Sequence, residues 1–131
     1  MSVPCEVAVK CVLPAVRAII AKELTTKHGL KQAEAAKLLG LSQPAISLYN
    51  REMRGKAINL EGDSDIKRHV ERTAEALTQG SCSRRDLILT YCGICRTIRA
   101  KGLLCELHKA FDPSIDIETC ELCANGNPFQ C

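Results

Sequence analysis

The chain has 131 residues, 46% of them hydrophobic and only 3% aromatic, with no Trp and a formal net charge of +3. That length allows one compact unit, or two small joined ones, around a modest core that a metal centre or a partner subunit would reinforce. With so few aromatics the core must be built from Leu, Ile, Val and Ala, which favours packed helices and argues against a β-sandwich.

The charge is uneven. Residues 1–60 carry nine Lys and Arg against four Asp and Glu, and residues 61–131 carry nine against eleven. A basic half beside a mildly acidic half fits one nucleic-acid face and one regulatory or dimerising face. The opening MSVPCEVAVK has no basic leader followed by a long apolar run, and no apolar stretch approaches a membrane span. The expectation is a cytoplasmic protein with no membrane association, where clustered cysteines point to metal or redox chemistry rather than structural disulfides.

In chain order, the pattern predicts a short helix or helical turn over 5–12 and a helix over 14–28, with Pro14 in its first turn and Val16, Ile19, Ile20 and Leu24 on one face. Gly29 closes it. Two short helices follow, over 31–39 and 43–52, separated by Gly40-Leu41-Ser42. Residues 53–63 read as a linker. A helix over 64–79 buries Ile66, Val70, Ala74 and Leu77 and stops at Gly80. Another, over 84–101, starts at a Ser83–Asp86 capping box, turns Leu87, Ile88, Tyr91, Cys92, Cys95 and Ile98 inward, and stops at Gly102. A short helix over 103–111 ends before Asp112-Pro113, and 114–131 is loop-like. The fold class is therefore all-α: a helix-turn-helix DNA-binding bundle over 1–58, followed by a helical, cysteine-rich, metal-binding and dimerising region over 59–131.

The segment QAEAAKLLGLSQPAISLY, Gln32 to Tyr49, carries the DNA-binding signal. Two steeply crossing helices need a small residue where they touch, supplied by Ala36. Four residues later Gly40 supplies a turn residue that tolerates positive φ. Ser42 suits the N-cap and Pro44 the first turn. With Ile46 and Tyr49 turned inward, Gln43, Pro44, Ser47, Asn50 and Arg51 are left for DNA. Gln and Asn match adenine and Arg matches guanine in the major groove. Lys31, Lys37 and Arg54, with Lys56, are placed for phosphates.

Seven of the nine cysteines follow Gly80. The candidate ligands are Cys92, Cys95, Cys105, Cys120 and Cys123: two C-x-x-C pairs with a fifth cysteine between them. Residues three apart project two thiolates to one side, and two such pairs can close a four-sulfur site. Gly93 would let a bulky cluster approach the backbone, Cys105 would fold back towards the first pair, and Cys120 and Cys123 would close the site from the tail. His108 reads as an exposed side chain rather than a ligand. Cys5 and Cys11 read as small packed hydrophobes, and Cys82 and Cys131 as free thiols. Thiolates select either an iron–sulfur cluster or zinc. No Ser/His/Asp set, glycine-rich phosphate loop or paired-carboxylate pattern is present, so catalysis is not expected.

The stretches MSVPCEVAVKCVLPAVRAIIAKEL and QAEAAKLLGLSQPAISLYNREMRG resemble, closely over residues 3–57, the archaeal transcription regulators with a lambda-repressor/Cro-like (XRE-type) helix-turn-helix. The later CGIC, LLCELH and CELC stretches resemble the cysteine-rich extension some members carry. The resemblance implies a sequence-specific, homodimeric binder of double-stranded DNA from an anaerobic archaeon. The likeness to regulators of strict anaerobes favours [4Fe–4S] over zinc, with redox state, oxygen or iron as the signal. The alternative is a helix-turn-helix regulator with a purely structural zinc site.

Overall fold

The computed structural model describes residues 3–51, 58–120 and 123, and among them every regular element is helical. The chain opens with α1 (Pro4–Val7), a π-helical turn (Ala8–Val12) and α2 (Leu13–Thr26). The joining residues Ala8 and Leu13 have right-handed helical backbones, so the three pieces form one continuous rod where two separate helical segments were expected. Its wide turn lies just ahead of Pro14, whose ring and missing N–H do not fit a regular i→i−4 ladder. Val16, Ile20, Ala21 and Leu24 are fully buried. This suits the position of α2 as the central helix, packed against the four helices α3 to α6 defined next.

α3 (Gln32–Leu39) and α4 (Gln43–Asn50) follow a left-handed turn at Gly29. Leu60 then pins the connection to α5 (Ser64–Thr78). The stripe Ile66, Val70, Ala74 and Leu77 is buried as its spacing predicts. Thr73 joins it by donating its hydroxyl to the His69 carbonyl at 2.7 Å. Asp63 caps α5, accepting from the N–H groups of Asp65 and Ile66. The Lys101 ammonium lies 2.9 Å from Asp63 and 2.7 Å from Asp65, tying the start of α5 to the end of the next helix.

That helix, α6 (Arg84–Ala100), begins at the expected capping box: the Ser83 hydroxyl accepts from Asp86 N–H and the Asp86 carboxylate from Ser83 N–H. Its buried stripe is Leu87, Ile94 and Ile98, with Tyr91 partly buried beside it. Ile88, expected inside, is 53% exposed, and Ile94 takes its place at 0%. The 3-4 alternation through 87, 91, 94 and 98 sets that face, and Ile88 falls about 100° away from Leu87. The Arg17 guanidinium lies 5.7 Å from the Tyr91 ring centroid, a cation–π contact from α2 to α6. Gly102 reverses the chain into α7 (Cys105–Phe111).

One buried cluster runs from Val7 to Leu104 and draws on residues from both sides of position 58. Among the described residues no helix is long and apolar enough to cross a membrane.

Candidate nucleic-acid interface and cysteine site

The Glu34 carboxylate accepts from the Lys31 N–H at the start of α3, and Ala35, Ala36 and Leu39 face the core. At its end Gly40 takes φ 67°, and the Leu41 N–H donates to the Ala36 carbonyl at 2.9 Å. This left-handed close satisfies carbonyls that the helix end would otherwise leave unpaired. Two residues on, the Ser42 hydroxyl accepts from the Ala45 N–H at 3.2 Å and starts α4. Ile46 and Tyr49 are buried, so this second helix is anchored by its inner face.

Outside it lie Gln43, Pro44 and Arg51, all exposed, and Ser47, half-buried. Lys31, at the N-cap of α3, and Lys37, on α3 itself, are exposed. Arg54 lies outside the described residues. Asn50, expected on an accessible face, is half-buried, with its Oδ1 buried and lacking a hydrogen-bond partner among the described residues. Two-pronged pairing with adenine from Asn50 would require its amide to turn outward. Arg84 was not anticipated: its guanidinium would lie 3.5 Å from a side chain at Gly40, and with exposed Arg85 it adds positive charge beside the turn. The Arg-Arg pair next to a capping serine was the signal in the sequence, masked by its distance along the chain from the motif.

The cysteines converge on Arg99. This residue is 5% exposed in the last turn of α6. Its Nε donates to Cys123 Sγ at 3.3 Å, and its Nη1 lies 4.0 Å from Cys5 Sγ. Burial works against its charge, but the sulfurs of Cys123, Cys5 and Cys95 outweigh that and raise the guanidinium pKa. A cavity of about 220 Å³ opens here, lined among others by Arg99, Cys105, His108, Cys120 and Cys123. Three of the expected ligands, Cys105, Cys120 and Cys123, thus share one space.

Local turns explain that convergence. At Gly102, φ is 72°, and Leu103 N–H donates to the Ile98 carbonyl, folding Cys105 back towards α6. Asp112 accepts from the Ser114 N–H, and the Cys120 N–H donates to the Asp116 carbonyl at 2.9 Å, which curls the tail over the same spot. Burial pushes the Cys105 thiol pKa up, and nearby Cys123 and Cys120 push it further.

Cys95 stands four residues before Arg99 on α6, close enough to act on its charge. Cys92 does not line the cavity, and Gly93 faces open space. His108, read as exposed, is 5% exposed and lines the cavity, because α7 packs against α1. Cys11 is buried as expected. Cys5 is half-buried beside Arg99 and not merely packed among hydrophobes. Cys82 is half-buried, and Cys131 lies outside the described residues. Burial raises the thiol pKa of both Cys11 and Cys82, keeping them protonated near neutral pH.

Among the described residues, no three His, Cys, Asp or Glu side chains are drawn together closely enough to enclose a single metal ion. Compared with protein-family models, with curated proteins and with solved structures, the chain matches none.

Proposed function

We propose that the chain is a helix-turn-helix transcription regulator of the XRE type, which binds double-stranded DNA as a homodimer and holds an iron–sulfur cluster, [4Fe–4S], with its C-terminal cysteines. The observation that carries the reading is the unit from α3 to α4: an alanine contact, a left-handed glycine turn and a serine-capped second helix with Gln43 and Arg51 free outside. A helix held by one face and presenting Gln and Arg on the other suits insertion in the major groove. Lys31, Lys37 and Arg54 would contact phosphates, and Arg84 would extend that contact.

The donor chemistry of the second site fits the cluster. Thiols from Cys105, Cys120 and Cys123 face one cavity, and the buried Arg99 guanidinium supplies a positive charge where thiolates and sulfide would bring negative charge. Bound there, the cluster would supply one-electron redox chemistry and sensitivity to oxygen. Ile115 and Ile117 in the cavity wall limit access by water, and α7 and the tail hold the thiols in place.

The test is selection of duplexes from a random pool under anaerobic conditions. The wild type should enrich a two-fold symmetric sequence, with half-sites about one helical turn apart. Arg51→Ala should lose that enrichment while retaining salt-sensitive binding. No enrichment by wild type, at low salt and with iron and sulfide supplied, would overturn the reading.

A further inference from the structure

The cysteine from the N-terminal rod sits at the same guanidinium as the cysteine from the tail. Arg99 presents Nη1 to Cys5 and Nε to Cys123. Pro4, the neighbour of Cys5, lines the cavity together with Cys105, Cys120 and Cys123. α1 packs on α7, whose first residue is Cys105, and Lys10 lies 5.4 Å from the Phe111 ring centroid at the other end of α7. The rod therefore runs along α7 and brings Cys5 beside the cavity, against the Arg99 guanidinium that lines it. By contrast, seven residues of helix separate Cys92 from Arg99, about 10 Å along the axis.

We propose that Cys5 is a ligand of the metal centre, completing a four-thiolate set with Cys105, Cys120 and Cys123, and that Cys92 lies outside it. The assignment rests on the metal-binding reading of the cysteine site and changes its composition: one ligand comes from the opposite end of the chain. Cys95 acts on the charge of Arg99 less strongly than Cys123 and Cys5 do.

The choice of Cys5 has a mechanical consequence. It stands in the first turn of the rod whose continuation, α2, packs against α3 and α4. Ligation at Cys5 fixes the start of that rod relative to α7 and the tail. Gain or loss of the centre then acts on the helix that supports the DNA-reading pair. The wide turn over Ala8–Val12 lies between the ligand and α2, where a helix accommodates a shift of register most readily.

The experiment combines wild-type footprinting with ligand variants. Protein reconstituted anaerobically with ferrous iron and sulfide is alkylated with iodoacetamide, and each cysteine is followed by mass spectrometry, alongside metal-free protein. Cys5 should be protected at least about tenfold by loading, as should Cys105, Cys120 and Cys123, whereas Cys92 should react alike in both. In parallel, Cys5→Ser should retain iron at least about tenfold less well against a chelator than wild type, and Cys92→Ser should match wild type. Circular dichroism of the metal-free variants checks that each is folded. If loaded wild type leaves Cys5 as reactive as in the metal-free protein, or if Cys92→Ser and not Cys5→Ser sheds iron, the assignment of Cys5 fails while the metal site stands. If wild type takes up neither iron with sulfide nor zinc, both fail.

Discussion

Single residues at the turn between α3 and α4 decide whether α4, the proposed DNA-reading helix, is held at a fixed angle. Replacing Ser42 by Ala removes the acceptor for the Ala45 N–H and should cost about 1 kcal/mol in denaturant unfolding. Gly40→Ala forces a side chain into left-handed backbone. That should cost about 1–2 kcal/mol, with little added by contact, since the nearest atom lies an ordinary 3.5 Å away. For binding, Arg51→Ala should change base preference, whereas Lys37→Ala should weaken all sequences alike and reduce the salt slope by about one. Competition titrations at several salt concentrations separate the two effects. The turn was readable because its glycine, cap and proline each have a local backbone reason. The inward amide of Asn50 and the burial of His108 were not, since both depend on which helix packs above them.

At the scale of elements, the caps and stop signals transferred well from sequence to structure: Gly29, Gly40, Gly80 and Gly102 all take positive φ. The faces transferred less evenly. On α5 a clean stripe left one solution. On α6, apolar residues at 87, 88, 89, 91, 94 and 98 offered competing faces, and packing selected Ile94 over Ile88. Ile94→Ala should therefore destabilise by about 2–5 kcal/mol, while Ile88→Ala should change unfolding by only a few tenths. The two helices are also joined by the Lys101 clamp. Hydrogen bonds from Lys101 hold the Asp63 and Asp65 carboxyls below their usual range, and those carboxylates raise Lys101. Depressed acids stabilise the fold above their unfolded pKa, and that contribution is lost as pH falls through the folded value. A raised lysine stabilises below its unfolded pKa and loses its effect as pH rises through the folded one. The clamp should thus act between roughly pH 4 and pH 10. In thermal melts, Lys101→Met should lower the midpoint slightly within that window, the difference should shrink as pH falls below it, and added salt should shrink it too.

Across the whole molecule, the central helix α2 links what the sequence presents as separate modules. Of the five C-terminal cysteines picked out by their spacing, Cys105, Cys120 and Cys123 share one cavity, whereas Cys92 and Cys95, one to two turns back along α6, do not line it. The place of Cys5 was not legible in the sequence, because 94 positions separate it from Arg99 and only the rod lying along α7 brings them together. The buried Arg99 was hidden for the same reason: in sequence it is one more cation near a helix end. Its replacement by Met should leave the helices folded yet weaken iron retention by about tenfold, the size expected when a group supporting metal ligands is removed. Chelator competition would measure this.

The most direct test of the account is the affinity of one selected duplex for anaerobically prepared protein, measured by fluorescence anisotropy with the iron–sulfur cluster loaded and after its removal. Binding should be tight and should change at least about tenfold between the two states, a coupling of about 1.4 kcal/mol. Equal affinity in both states would contradict that coupling, reducing the cysteine site to a structural staple.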